Sequence, residues 1–257
     1  MRDNQARIDV LGIGIDNLTM DGVLARIDDI IRAGKPSVIY TANSNHVRLF
    51  RADPVFAKAY KEADLVTADG VPVMLAAKIF GTPIAAKVSG SDLTEKICAL
   101  SAKCGYRIYF LGAAEGVGEQ AKGRCEKMYP GVQIVGVYSP SRAELTDEAA
   151  NKAIIEKINS SGANILYAAL NAPFQEIWLS RARASLRVPV LIGVGGSIDY
   201  LAGLIKRPPA WVCRAGFEWL ARLIQSPRRY WKRYLSDSVI IWYILSEALR
   251  RRRQRSQ

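Results

Sequence analysis

The chain has few of the residues that hold metals. It carries four cysteines and one histidine in 257 residues. Cys98, Cys104, Cys125 and Cys213 show no Cys-x-x-Cys or zinc-like spacing, and His46 stands alone. A metal site built from Cys and His is therefore not expected, and the thiols read as scattered core residues of a reducing compartment. Asp-x-Asp, the usual way of holding a divalent ion on a nucleotide diphosphate, does not occur. Long apolar runs are missing as well: the longest, Val239 to Leu245, is seven residues, against the roughly 20 that a spanning helix needs. The first residues, Met1-Arg2-Asp3-Asn4-Gln5, are polar and lead into the short strand pattern Ile8–Ile13 rather than into a signal peptide.

Acidic residues are scarce in one place. From residue 206 onward there are thirteen Lys/Arg and three acids, Glu218, Asp237 and Glu247, giving +10 of the formal net charge of +12. The first 205 residues hold twenty-three bases and twenty-one acids. The basic tail also contains Trp211, Phe217, Trp219, Tyr230, Trp231, Tyr234, Trp242 and Tyr243. Bases interleaved with large rings suit a surface that is both anionic and partly apolar. An anionic membrane is one such surface, and single-stranded nucleic acid is another. Two parts are expected: a near-neutral core, 1–205, and a helical basic appendage, 206–257.

The core alternates strand and helix patterns. Short β-branched or aromatic runs occur at 37–40, 107–111, 132–136, 165–169 and 188–192. Helical patterns separate them at Leu93–Lys103, Glu119–Met128, Glu148–Ile158 and Gln175–Ala184. This order predicts an α/β fold, a Rossmann-like parallel sheet with helices on both faces. Ligands of such sheets bind at the carboxyl ends of the strands.

Those ends carry Thr41-Ala42-Asn43, then Thr67-Ala68-Asp69-Gly70 before Pro72, then Gly112 to Gly118, Asn171-Ala172-Pro173, and Gly193-Val194-Gly195-Gly196. Two readings of Asp69 stand side by side: a helix cap beside the N1-type Pro72, or a general base in the cleft with Thr41 and Asn43 next to it. The glycines at 193–196 permit close approach either of a ligand or of a helix to its strand. The turn at 112–118 does not have the Gly-x-Gly-x-x-Gly spacing, which speaks against a nicotinamide-dependent oxidoreductase. His46 is read as structural.

Taken in order, the strand-end motifs resemble the WecG/TagA/CpsF glycosyltransferases, glycosyltransferase family 26. The resemblance rests on Thr41-Ala42-Asn43, Ala68-Asp69-Gly70, Val88-Ser89-Gly90-Ser91-Asp92-Leu93, Phe110-Leu111-Gly112 and Pro173-Phe174-Gln175-Glu176. It is strongest over 193–203, and continues through Arg207-Pro208-Pro209-Ala210-Trp211 and Gly216–Leu223 to Ser226–Tyr234. It implies an inverting, metal-independent transferase without a cofactor. Such an enzyme moves a sugar from a UDP-sugar to an undecaprenyl-diphosphate-linked saccharide, as a peripheral protein at the cytoplasmic face of the bacterial inner membrane.

By the same resemblance Asp69 is the base and Thr41 lies near the reacting centre. Asn43, Gly70, Gly90, Asp92, Gly112, Gln175, Glu176, Gly195, Gly196 and Asp199 are expected to bind substrate, and Arg207, Arg214 and Arg222 to complete the site and meet the leaving diphosphate. The family's fourth motif runs Gly-x-Pro-Lys/Arg-Gln-Glu. Here Asn171 replaces the Gly and Phe174 replaces the cation, so another group must supply that charge.

The tail pattern has its own expectations. Phe217, Leu220, Leu223 and Ile224 form one apolar stripe, and Pro227 should break the helix. Residues 230–255 read as interfacial; packing of the stripe on the core, or on a sister subunit in a homo-oligomer, is the alternative. A nucleic-acid-binding protein with a basic aromatic arm is the competing function.

Overall fold

The computed structural model describes residues 7–206, 208, 212, 218–225 and 227–255. Six strands form one parallel sheet: β3 (Ser37–Ala42), β4 (Leu65–Ala68), β5 (Arg107–Gly112), β6 (Gln133–Tyr138), β7 (Ile165–Ala169) and β8 (Val190–Gly193), in the order β4-β3-β8-β7-β5-β6. A separate antiparallel hairpin, β1 (Ile8–Val10) and β2 (Ile13–Ile15), precedes it. The N-terminal strand pattern is thus a hairpin outside the main sheet. Asp16 ties it down, accepting from the Val66 N–H at 2.7 Å and from Arg7 Nε at 3.1 Å.

Alternation along the strands divides the interior in two. On one side Val38, Tyr40, Val66, Leu111, Leu166 and Leu191 pack in one core cluster. It includes residues of α2 (Ser44–Ala52), α3 (Pro54–Glu62), α4 (Val71–Ile79), α8 (Glu148–Ser160) and α9 (Phe174–Ala182). On the other side Ile39, Leu65, Ile108, Phe110, Tyr167 and Ile192 pack with α1 (Met20–Ala33), α5 (Gly90–Cys104), α6 (Val117–Met128) and α10 (Ser197–Leu201). Between β6 and α8 runs the short α7 (Arg142–Thr146). Cys98 and Cys125 are buried as expected of core thiols, but Cys104, in the last turn of α5, is exposed; Cys213 lies outside the described residues.

Three further helices follow: α11 (Glu218–Gln225), α12 (Pro227–Asp237) and α13 (Val239–Arg255). Pro227 opens α12 and so separates it from α11, as its missing N–H dictates. The expected stripe on 217–224 is not a buried face: Leu220 and Ile224 are exposed, and Phe217 lies outside the described residues. The last helix divides its apolar residues between core and surface. Ile240 and Ile244 are buried in the first core cluster, whereas Ile241, Trp242, Leu245 and Leu249 are exposed. Arg48 pairs with the buried Asp237 at 3.3 Å, and Arg51 lies over the Tyr243 ring at 4.5 Å. Among the described residues no helix is long and apolar enough to cross a membrane.

Candidate active site

The carboxyl ends of β3 and β4 bring the first site residues together. The strands are in register at Thr41↔Thr67 and Ala42↔Ala68, and the Asp69 N–H donates to the Ala42 carbonyl at 2.8 Å. Asp69 follows the last β4 residue and is half-buried. It does not cap α4: the cap is Gly70, at φ 107°, with no side-chain cap bond. Instead Asp69 Oδ2 accepts from the Gly90 N–H at 3.5 Å, across the 88–90 loop. That loop is pinned to the strand by Val88 N–H to Ala68 O and by Thr67 Oγ1 to Val88 O, both 2.9 Å.

Gly90 is the point of closest approach. A Cβ there would lie 3.4 Å from both Thr41 Oγ1 and Ser197 Oγ. Thr41, Asp69, Gly90 and Ser197 therefore converge from three strand ends. Asn43 caps α2, its Oδ1 accepting from the Asn45 and His46 N–H groups at 3.1 and 3.3 Å. The same residue lines the cavity described below.

Beneath these residues runs a buried polar chain. His46 Nδ1 is 2.6 Å from the Thr41 carbonyl oxygen, and its Nε2 is 3.8 Å from Glu176 Oε1. Gln175 Nε2 donates to that same Glu176 oxygen at 2.8 Å, while Gln175 Oε1 accepts from the Gly195 N–H at 2.8 Å. Tyr40 donates to the Glu176 carbonyl at 2.8 Å. Burial, first, and then the charge of Glu176 hold the Tyr40 hydroxyl well above its ordinary pKa, so it stays a donor. Gln175 and Glu176 are only 3% and 1% exposed. They brace the 193–196 turn against the β3 end rather than forming its surface. His46 belongs to this brace, in line with its structural reading.

The glycines divide by cause. Gly112, at φ 95°, has no room for a side chain: a Cβ would lie 2.5 Å from the Ala169 carbonyl oxygen. Gly193 is pressed by Gln175 Nε2 in the same way, at 2.5 Å. Gly195, at φ 50°, has nothing within 4 Å of its Cβ position, and Gly196 meets only Asp199 Oδ2 at 3.7 Å. So in the turn at 193–196 Gly193 is required by a close approach, while Gly195 leaves open space and Gly196 only contacts Asp199. Asp92 Oδ2 accepts from Ser89 Oγ at 2.6 Å in the first turn of α5, and Asp199 sits in the first turn of α10. Arg207 and Arg214 lie outside the described residues, as does the side chain of Arg222.

A cation lies beside Phe174, the residue that departs from the sequence motif. The Arg142 guanidinium, from the start of α7, lies over the Phe174 ring at 4.0 Å. Phe174 opens α9 after Asn171, at φ 65°, and the cis Ala172–Pro173 bond. Two residues outside the expected set also stand at the site: Ser197, inside a quoted motif but indistinct from any helix-start serine, and Lys87, which lines the cavity.

That cavity has a volume of about 440 Å³, within the range of small-molecule sites. Asn43, Asn45, Asp69, Lys87 and Asp237 give it polar lining. Val71, Leu75, Trp219, Ile240, Ile241 and Ile244 give it an apolar wall. The tail helices thus build one side of the space into which Asp69 opens.

The sequence model described as the glycosyl transferase WecG/TagA/CpsF family matches residues 8–254. A Bacillus spizizenii protein named N-acetylglucosaminyldiphosphoundecaprenol N-acetyl-beta-D-mannosaminyltransferase is 31% identical over 202 residues, 79% of this chain and 76% of that protein. A Staphylococcus aureus protein of the same name is 26% identical over 254 residues, 97% of this chain and 96% of that one. With nearly the whole sequence matched and the strand-end motifs assembled at one end of the sheet, the chain belongs to the WecG/TagA/CpsF family of glycosyltransferases.

Proposed function

We propose that this protein transfers an N-acetylhexosaminyl group, of the N-acetylmannosaminyl type, from a UDP-sugar to undecaprenyl-diphosphate-linked N-acetylglucosamine, with inversion. The acceptor and the sugar class come from the names of its relatives. The observation that carries the reading is Asp69: a carboxylate at a strand end, not used as a cap, opening into a cavity lined by both polar and apolar side chains.

The chemistry then runs in one displacement. Asp69 accepts the proton of the acceptor hydroxyl as its oxygen attacks the anomeric carbon. The bond from that carbon to the diphosphate breaks, and UDP leaves with the electron pair. Thr41 and the Gly90 N–H hold the reacting centre from the side. Negative charge on the departing diphosphate is met by N–H groups of the 193–196 turn and by arginines, Arg142 and the tail residues Arg207, Arg214 and Arg222 among them. No divalent ion is required in this scheme. Residues 206–257 hold the enzyme on an anionic membrane at the cytoplasmic face, each exposed base adding about 1 kcal/mol before screening by salt.

The test is direct. Purified full-length protein is incubated with UDP-N-acetylmannosamine and a diphosphoprenyl N-acetylglucosamine, and the disaccharide product and its anomeric configuration are read by mass spectrometry and NMR. Transfer with retention would overturn the single displacement. Absence of transfer from any UDP-N-acetylhexosamine would overturn the donor assignment.

A further inference from the structure

Helices α4 and α13 lie side by side and run in the same direction. Their first turns meet at the cavity, which Val71 and Leu75 line from one helix and Ile240, Ile241 and Ile244 from the other. Their far ends meet where the Arg251 guanidinium lies over the Phe80 ring at 4.4 Å. Each helix leaves a row of large apolar side chains in water. On α4 these are Val71, Leu75 and Ile79, exposed by 42, 48 and 49%. On α13 they are Ile241, Leu245 and Leu249, exposed by 62, 56 and 59%. Both rows step by four residues, so each is one face of its helix. Each spans about 12 Å at 1.5 Å per residue.

A helix of a catalytic core does not ordinarily expose such a row. Here the row starts at the candidate base: Asp69 and Gly70 immediately precede Val71. The cavity is lined both by the polar residues Asn43, Asn45, Asp69 and Lys87 and by hydrocarbon side chains of the two helices. A free sugar nucleotide would leave the hydrocarbon uncovered. A ligand with a saccharide at one end and an isoprenoid chain at the other covers both.

We propose that the apolar side of this cavity, a trough lined by Val71 and Leu75 of α4 and by Ile240, Ile241 and Ile244 of α13, is a polyprenyl subsite, which takes the first isoprenoid units of the lipid-linked acceptor while its saccharide lies at Asp69. This rests on the acceptor reading above and adds a direct role for the core helix α4 in gripping the lipid. A flat bilayer would touch the outer rows, but it would not enter the cavity between Leu75 and Ile241.

The experiment removes the bilayer. Transfer by the full chain is measured in vesicle-free solution with two diphosphate-linked N-acetylglucosamine acceptors, one carrying a short alkyl chain and one a farnesyl chain. The farnesyl acceptor should show a KM lower by about tenfold, the worth of burying one or two large apolar side chains' contacts. Leu75→Glu and Ile241→Glu should each erase most of that preference; both sites are exposed, so folding is preserved, and Leu75→Ala should give a smaller loss in the same direction. Met128→Glu, at an exposed apolar residue of α6 away from the trough, should keep it. Equal KM values for the two acceptors in the wild type would overturn the subsite. So would a preference that survives both glutamate variants while their vesicle binding falls, a result assigning the rows to the bilayer. In parallel, farnesyl diphosphate alone is titrated calorimetrically into the protein without donor. Binding that Leu75→Glu abolishes, combined with no transfer to either acceptor, would keep the subsite and reject the acceptor reading. Transfer without such binding would do the reverse.

Discussion

The guanidinium of Arg142 stacks on the ring of Phe174, 4.0 Å from its centre. The two residues come from different strand ends, after β6 and after β7, and meet at the carboxyl edge of the sheet. The family resemblance implies a cation at the position of Phe174, and a guanidinium reaches that ring here from another element. A stacked guanidinium keeps its in-plane donors free for a phosphate. Arg142→Ala should therefore raise the KM for the sugar nucleotide by about fivefold to tenfold with a small change in KM for the acceptor, as expected for about 1 kcal/mol of lost binding. Phe174→Lys in that background should restore part of the loss. Unchanged donor KM in Arg142→Ala would remove Arg142 from the donor site.

Asp69 makes a long, 3.5 Å contact with the Gly90 N–H, one that an amide oxygen can also accept. Asp69→Asn should keep the fold and lose the base. Turnover should fall by about 10²-fold or more, the range for a positioned acid–base group, while the melting temperature changes little. Near wild-type turnover would exclude Asp69 as the base.

The sheet was legible because its strands are short β-branched runs between helical patterns, and β5, β7 and β8 lie within a few residues of their sequence-based positions. Asp69 was legible only as one of two readings. What sets the cap reading aside is the cap at Gly70, and the contact that Asp69 makes instead, with Gly90, comes from a loop twenty residues downstream in the chain. The double use of α13 was not legible. Its Val239–Leu245 run is apolar on every side, so periodicity cannot say which residues face inward. Packing against α2 and α4 selects Ile240 and Ile244 for the core and leaves Ile241 and Leu245 outside. The contact of Arg142 with Phe174 has no sequence signal, since the two lie thirty-two residues apart. It follows that truncation after residue 238 should not release an intact core. Removing two buried isoleucines uncovers surface worth about 1.5–3 kcal/mol each, and the truncated protein should melt at a lower temperature in calorimetry.

Activity should persist in excess EDTA. Among the described residues no group of three or more His, Cys, Asp or Glu could hold a metal ion, and the sequence has no Asp-x-Asp pair. The expected outcome is a rate within twofold of that in added Mg²⁺, read by product formation. Complete loss in EDTA restored by Mg²⁺ or Mn²⁺ would overturn metal independence.

The attachment of the last helix should weaken in acid, through Glu247. Its carboxyl accepts from Arg250 at 3.0 Å and from Arg251 at 2.8 Å. Those bonds, the one from Arg250 foremost, hold its pKa below the ordinary glutamate value. Arg251 in turn reaches Asp9 of β1 at 3.3 Å and covers Phe80, so the orientation that Glu247 gives it joins α13 to the core. A carboxyl with a depressed folded-state pKa stabilises the fold above its unfolded pKa, about 4.3 for glutamate, and that contribution is lost as pH falls through the lower folded value. Solvent screens a pair at a helix surface, so the effect is kept below about 1 kcal/mol. Glu247→Gln should accordingly lower stability modestly at pH 7. The gap between variant and wild type should close as pH drops below about 4. Arg251→Ala should cost more than Glu247→Gln at pH 7, because it also removes the contacts to Asp9 and Phe80, and Arg251→Lys should recover little, since an ammonium cannot reproduce the planar stack. Chemical denaturation of the three variants across pH 3–7 reads all of this. A gap between wild type and Glu247→Gln that stays constant over the whole range would show that the carboxylate's charge does not contribute to holding α13 in place.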